Sequence, residues 1–86
     1  MSINKEIRDS LPENTIVLDN TSFDNSIVGV STDGRVVYDF DTMVQELMED
    51  EDWTVEESIE WIEYNTIRAL PYLGANAPII CERLQL

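Results

Sequence analysis

The sequence DFDTMVQELMEDEDWTVEESIEWIE, from Asp39 to Glu63, decides the fold of this chain. It carries eleven carboxylates and no lysine or arginine. Apolar residues recur in it at intervals of three and four, which is the period of an amphipathic helix. The segment therefore predicts two consecutive helices that share one acidic surface.

The first of these helices is predicted to begin at Asp39 or Asp41, because either carboxylate can cap a helix N-terminus. It is predicted to end at the acidic run from Glu49 to Asp52, since negative charge at a helix C-terminus opposes the macrodipole. Its apolar face is formed by Phe40, Met43, Val44, Leu47 and Met48.

The second helix is predicted to begin after Thr54, because Thr54 and Glu57 have the spacing of a capping box. It is predicted to continue to about Ala69 and to be stopped by Pro71, which cannot donate a backbone hydrogen bond. The face predicted to be buried comprises Val55, Ile59, Ile62, Thr66 and Ala69.

The sequence before the first acidic helix contains three extended segments. A short helix is predicted from Ser2 to Leu11, and Pro12 ends it. The β-branched run at residues 15–18 predicts a strand, and residues 19–26 predict a loop. Residues 27–30 and 35–38 flank the Asp33-Gly34 pair, which predicts a β-hairpin, and Gly29 predicts a bulge in its first arm.

Residues 79–84 form a last apolar run that predicts a strand beginning at Pro78. The order of elements predicts an α+β fold: a small, mostly antiparallel sheet of about four strands, with a central hairpin, packed against two or three helices. A chain of 86 residues supports one core, so residues 1–86 are predicted to be a single domain. The predicted core comprises Ile16, Val28, Val30, Val36, Tyr38, Val44, Leu47, Ile59, Ile62, Leu70 and Ile79.

The charge is the outlying property of the composition. Eighteen acids against five bases give a net charge of −13. Such an excess opposes direct binding to nucleic acid or to an anionic membrane and favours a basic protein partner. The absence of histidine removes the commonest general base and metal ligand, so no catalytic, cofactor or metal site is predicted.

Cysteine usage and the N-terminal sequence indicate the compartment. Cys81 is the single cysteine of the chain, so no internal disulfide can form. The segment MSINKEIRDS lacks the apolar region of a secretory signal. No apolar run reaches the roughly 18 to 20 residues of a transmembrane helix. A cytoplasmic protein is therefore expected.

The acidic surface predicts a protein-interaction module that is not an enzyme. In the sharpest version of this hypothesis the carboxylates mimic the charges of a nucleic acid and inhibit a DNA-binding protein, since duplex DNA carries one charge per roughly 1.7 Å of axis. The simplest alternative is a solvated face that only keeps the domain soluble.

The aromatic segment that follows the acidic helices is the second candidate surface. Arg68 complements the helix dipole and is expected to pair with Glu60 or Glu63, while tyrosine, tryptophan and arginine dominate interface hot spots. The candidate partner-binding residues are Glu46, Glu49, Asp50, Glu51, Asp52, Glu56, Glu57, Glu60, Glu63, Trp61, Tyr64, Arg68 and Tyr72.

Two further hypotheses remain open at the level of sequence. Asp24, Asp33 and Asp39 would converge across the hairpin in a small metal-dependent enzyme, although such chemistry needs a cleft. The oxygen-rich residues 19–26 do not match the ligand spacing of an EF-hand. A homodimer built through an edge strand and the aromatic segment is the other alternative.

The run SIVGVSTDGRVVYDFDTMVQELMEDEDWTVEESIEWIEYNTIRALPY, with APII after it, covers most of the chain. It resembles a family of small uncharacterised acidic proteins found in Gram-positive bacteria and their phages or mobile elements. That resemblance brings no activity and no catalytic residue. It implies a domain that stands alone and is associated with a phage or prophage.

Overall fold

The computed structural model describes residues 9–12 and 15–84. They form an α+β fold with a three-stranded mixed sheet. The helix predicted from Ser2 to Leu11 lies for most of its length outside the described residues. The elements in chain order are a 3₁₀ helix Thr21–Ser26, β1 Ile27–Val30, β2 Val36–Asp39, α1 Phe40–Glu51, α2 Val55–Trp61, a π segment Ile62–Thr66, a 3₁₀ segment Ile67–Leu73 and β3 Ile79–Cys81.

The sheet has the order β1-β2-β3, with three strands rather than about four. Residues 15–18 do not form the predicted strand; the backbone N–H of Leu18 donates instead to the Tyr38 hydroxyl, at 2.9 Å. The β1–β2 pair is antiparallel and the β2–β3 pair is parallel. The prediction of a mostly antiparallel sheet is therefore wrong, because the helices between β2 and β3 act as a crossover that returns the chain in the same direction.

The predicted hairpin is confirmed. Its loop is closed by hydrogen bonds from Ser31 N to Arg35 O at 2.7 Å and from Gly34 N to Ser31 O at 2.9 Å. Gly34 has φ 84°, a conformation that glycine adopts without steric cost. The register of β1 shifts between Ile27 and Gly29, as expected for a bulge.

β1 does not contribute the core residues predicted for it. The side chains of Val28 and Val30 are 64% and 40% exposed. β1 is an edge strand, and its burial is lost after Ile27 at the position of the bulge. The strand therefore extends the sheet without covering the core.

Both predicted helix starts are confirmed. The Asp39 carboxylate accepts a hydrogen bond from Thr42 N at 3.2 Å and caps α1. Thr54 and Glu57 form the reciprocal capping box of α2, with Thr54 N donating to Glu57 Oε1 at 2.9 Å and Glu57 N donating to Thr54 Oγ1 at 3.2 Å. α1 ends as predicted within the acidic run, at Asp52 in the left-handed region with φ 56° and ψ 40°.

The second helix differs from its prediction after Trp61. It widens into the π segment, tightens into the 3₁₀ segment and ends at Gly74, so Pro71 lies inside the last helical segment and does not stop it. The fixed φ of proline fits 3₁₀ geometry, which explains why the chain continues. The change of period also moves Ala69 to the exposed surface, and Val55 is 44% exposed at the first turn.

The core sits between α1, β2 and the 3₁₀ helix Thr21–Ser26. That 3₁₀ helix replaces the predicted loop, because Asn20 Oδ1 accepts from Ser22 N at 3.0 Å and caps it. It buries Phe23, which the sequence prediction left out. The predicted core residues Ile16, Ile59, Leu70 and Ile79 are only half-buried. The buried hydrophobic residues are Leu18, Phe23, Val36, Tyr38, Met43, Val44, Leu47, Ile62 and Ala77.

The last strand is shorter than predicted, since β3 covers Ile79–Cys81 and not residues 79–84. Arg83 lies beyond the end of β3, and its Nη2 donates a hydrogen bond to Asp39 Oδ2 at 2.8 Å. At the other end, Arg35 Nε donates to the Ala77 carbonyl at 2.7 Å. The residues on both sides of β3 are thus bonded to Arg35, just before β2, and to Asp39, the last residue of β2. Within residues 9–12 and 15–84, no helix has both the length and the apolar character required to cross a membrane.

Candidate functional site

An open groove of about 660 Å³ runs along α2 and the π segment. Spacings of three and four residues place its helical side chains on one face. The groove brings together carboxylates and aromatic residues that the sequence assigned to two separate candidate surfaces. Its lining residues are Trp53, Glu57, Glu60, Trp61, Tyr64 and Asn65.

The aromatic wall of the groove is anchored in the core. The rings of Trp53 and Trp61 have centroids 6.4 Å apart and planes tilted by 44°. Behind them, Phe23 is 1% exposed and its ring lies 6.1 Å from that of Trp61. Tilted aromatic pairs at these distances are favourable beyond their burial. The two indoles are therefore held from the core outward.

The two carboxylates of the groove differ in how firmly they are held. Glu57 Oε1 accepts the Thr54 N–H in the capping box, which fixes that side chain over the start of α2. Glu60 is exposed one turn further on. Within residues 9–12 and 15–84 the ion pair found joins Arg83 to Asp39, so no described cation neutralises Glu57 or Glu60. The groove therefore carries two acidic side chains that have no ion-pair partner among the described residues.

The rim of the groove already holds a guanidinium. Arg68 does not form the predicted ion pair with Glu60 or Glu63; its guanidinium carbon lies 4.9 Å from the centroid of the Tyr64 ring. The two residues are four apart, which is the contact spacing on a helix. Asn65 Nδ2 also donates to the Trp61 carbonyl at 3.0 Å, within the π segment. These contacts orient the C-terminal half of the groove.

The remaining acidic candidates lie outside the groove. Glu49, Asp50, Glu51 and Asp52 are exposed at the end of α1, and Glu56 is exposed in the first turn of α2. Together with Glu57, Glu60 and Glu63 they form what we call the acidic ridge. The ridge extends from the end of α1 to the π segment, but only two of its members line the groove.

Three other candidates occupy distinct environments. Glu46 is half-buried, and burial together with the nearby Glu49 and Asp50 raises the pKa of its carboxyl. Glu63 borders a different, more apolar depression with Ile67 and Leu70. Tyr72 is 89% exposed in the 3₁₀ segment and lines none of the groove.

Sequence reasoning left out Trp53 and Asn65. Trp53 precedes Trp61 by eight residues and Asn65 follows it by four, so all three fall on one helix face if the helix is extended backward past its cap. Helical spacing thus relates these three residues in the sequence. The capping box indicates a helix that begins only after Trp53, so Trp53 is not expected on the helix face.

The hairpin carboxylates do not converge. Asp33 lies exposed in the hairpin loop, where a hydrogen bond from the Ser31 hydroxyl lowers the pKa of its carboxyl. Asp39 lies at the opposite end of β2, and Asp24 is buried in the 3₁₀ helix. Among the described residues, no three acidic, cysteine or histidine side chains are grouped to hold a metal ion.

Asp39 serves the fold. The residue is 1% exposed, and its carboxylate accepts hydrogen bonds from Arg83 Nε at 3.2 Å, from Arg83 Nη2 at 2.8 Å and from Thr42 Oγ1 at 2.6 Å. The hydrogen bond from Arg83 lowers the pKa of Asp39, against the opposing effect of burial. A carboxylate with this many donors is fully occupied.

Comparison of the chain with models of known protein families, with curated proteins and with solved structures finds no match. The side chains of the groove and their charges are therefore what a functional assignment depends on.

Proposed function

We propose that this protein is a non-enzymatic interaction module that binds a basic surface of a partner protein. The observation that carries the proposal is the groove, in which Trp53, Trp61 and Tyr64 stand beside Glu57 and Glu60, two carboxylates that pair with no base among the described residues. Aromatic residues dominate the energy of protein interfaces, whereas complementary charge sets their specificity and association rate. The groove combines both on one helix face.

The distribution of positive charge supports the same proposal. Of the five bases, the three that lie in the described residues are engaged within the fold. Arg35 bonds the Ala77 carbonyl, Arg68 lies over Tyr64 and Arg83 pairs with Asp39. In none of these contacts does a base form an ion pair with a carboxylate of the acidic ridge. Its field extends over roughly 8 to 10 Å at physiological salt and attracts a basic partner before contact.

A finer form of the proposal is that the partner's basic surface is one that binds nucleic acid. Carboxylates along α1 and α2 would then occupy the groove in which that partner holds phosphates, and the protein would act as an inhibitor. The support for this form is the length of the ridge, which continues from the end of α1 along the exposed side of α2.

The test is affinity capture by the tagged protein from a bacterial lysate, followed by purification of the captured partner and calorimetry at several salt concentrations. We expect an affinity that falls steeply between about 50 and 300 mM salt, because exposed charges are screened over that range. Replacement of Glu56, Glu60 and Glu63 by lysine should weaken binding at least about tenfold, as several desolvated charge pairs would be lost.

The matched control replaces Asp9, Asp33 and Asp41 by lysine. These exposed carboxylates line neither the groove nor the depression that Glu63 borders, and their replacement makes the same change in net charge. An equal loss of affinity in both triple variants, or capture that does not respond to salt, would rule out a specific acidic surface. For the inhibitor form, the purified partner should lose its bound duplex DNA as the protein is added; retention of the duplex would show that form to be wrong.

A further inference from the structure

We propose that the groove binds a single arginine side chain of the partner, with the guanidinium on the indole faces of Trp53 and Trp61 and paired with the Glu60 carboxylate. This inference rests on the proposed function and specifies the chemical group that the groove recognises. The occupant is chosen by charge complementarity, because aromatic faces favour a cation, as do carboxylates that form no ion pair within the described part of the chain.

The aromatic wall is suited to a positively charged group. The face of an indole carries the negative part of the ring quadrupole, and tryptophan is the strongest aromatic partner for a cation. A cation within about 6 Å of such a ring gains a factor of about 2 to 30 in binding, depending on how far it is desolvated. The Phe23–Trp61 contact fixes one of the two rings in advance, so little order is lost on binding.

The shape of the wall favours guanidinium over ammonium. The two indoles are tilted by 44° at a separation of 6.4 Å and both line the open groove, so they form an angled wall on one side of it and not an enclosed cage. A planar guanidinium can lie flat on the face of an indole while its edge donates two hydrogen bonds to a carboxylate. Arg68 provides an example of the cation–π part of this arrangement within the chain, since its guanidinium carbon lies 4.9 Å from the centroid of the Tyr64 ring beside the groove.

The two glutamates have different roles in this site. Glu57 is held by the capping box, so one of its oxygens is already an acceptor and its charge acts at a distance. Glu60 has no such engagement among the described residues and is the group that can close a bidentate pair. The volume of about 660 Å³ is within the range of small-ligand sites, so it also admits the residues flanking the arginine.

The probe is a capped tripeptide, acetyl-Gly-Arg-Gly-amide, with lysine and citrulline versions as controls. Citrulline has the shape of arginine without its charge. The chain contains two tryptophans and both line the groove, so intrinsic fluorescence reports on this site without a label. We expect saturable quenching by the arginine peptide with a dissociation constant of about 1 mM, as befits one exposed side chain. Binding of the lysine peptide should be at least about threefold weaker, and the citrulline peptide should give no saturable response.

Variants assign the binding to the groove. Glu60→Gln should weaken the arginine peptide at least about fivefold, since a charge-assisted pair is lost. Glu63→Gln is the matched control, because Glu63 is an exposed glutamate on the π segment that borders a different depression; it should change affinity less than about twofold. Trp53→Leu keeps Trp61 as the reporter and should weaken binding at least about threefold. Circular dichroism checks that each variant is folded.

The results that would overturn this inference differ from those that would overturn the proposed function. Equal binding of the citrulline or lysine peptide, equal effects of Glu60→Gln and Glu63→Gln, or no effect of Trp53→Leu would each exclude an arginine site here. If the peptide fails while the captured partner still responds to salt and to the ridge variants, the function stands and the groove is not its recognition element. If the arginine peptide binds but no salt-sensitive partner is captured, the arginine site stands and the proposed function is wrong.

Discussion

The junction of β2 with α1 and the groove along α2 are both acidic, but the fold treats their charges in opposite ways. Asp39, at the junction, is 1% exposed and bonded to Arg83 and Thr42. Glu60, in the groove, is exposed and has no cationic partner among the described residues. The chain has few bases, and one of them neutralises Asp39, an acid that folding buries. Acids that folding leaves on the surface contribute little to stability, and their charge is available to a partner.

The largest expected difference between the two regions is in stability. Asp39→Ala removes the N-cap of α1 and the hydrogen bonds from Arg83 and Thr42, so we expect a loss of about 2 to 3 kcal/mol in the free energy of unfolding. Glu60→Ala should change it by less than about 0.5 kcal/mol. Urea denaturation monitored by circular dichroism measures both. Similar losses in the two variants would contradict the distinction between a structural and an available carboxylate.

The response to acid tests the same distinction without deleting the carboxylate. Because Arg83 lowers the pKa of Asp39 in the folded protein, this group contributes stability above its unfolded-state pKa of about 3.9, and that stability is lost as the pH falls through the lower folded value. We expect the urea midpoint to decrease below about pH 4. Arg83→Gln should flatten that decrease, and an unchanged acid limb in the variant would show that another group controls it.

A third prediction concerns the residue that ends α1. Asp52 has φ 56° and follows a helix C-terminus, where both the left-handed conformation and the negative charge are unfavourable. Asp52→Gly should therefore increase the free energy of unfolding by about 1 kcal/mol, measured as a higher thermal midpoint. Asp52→Asn removes the charge alone and should give a smaller gain. Destabilisation by glycine would mean that the Asp52 side chain makes a contribution at this cap.

The smallest expected effect is at Glu46. Its pKa is raised in the folded protein, whereas that of Asp39 is lowered. A carboxyl with a raised folded pKa contributes stability below its unfolded value of about 4.3 and loses it as the pH rises through the folded value. Glu46→Gln should therefore be more stable than the parent at pH 7 by a few tenths of a kcal/mol. The gain should vanish below about pH 4, and a gain that persists there would exclude a charge effect.

The features that sequence reasoning recovered depend on residues close together in the chain. The capping box of Thr54 and Glu57, the hairpin around Gly34 and the apolar face of α1 are each defined within a few residues. Backbone geometry at such positions follows from local chemistry alone. Four of the predicted binding residues, Glu57, Glu60, Trp61 and Tyr64, meet in the groove for the same reason.

The features that sequence reasoning missed depend on packing between residues that are distant in the chain. The segment around Phe23 has the composition of a loop, but contact of Phe23 with Trp61 gives it a place in the core. The parallel register of β3 and the bond from Arg83 to Asp39 leave no local pattern, since the bonded residues are 44 positions apart. Likewise, no local pattern in the sequence of α2 predicts that the helical period changes from α to π at Ile62.

The parallel pairing of β2 with β3 has a consequence for how fast the chain folds. Val37 pairs with Ile79, and the flanking bonds from Arg35 to Ala77 and from Arg83 to Asp39 span 42 and 44 residues. The hairpin and α1 form from neighbouring residues on a microsecond scale, whereas docking β3 must close a loop of about 40 residues and meets its entropy cost before its contacts form. Until then the hydrogen-bonding edge of β2 is uncovered, and an uncovered strand edge is a template for pairing between molecules. β3 contributes three residues near the C-terminal end of the described chain. The rate at which β3 pairs with β2 therefore governs how long each newly folding molecule is exposed to aggregation.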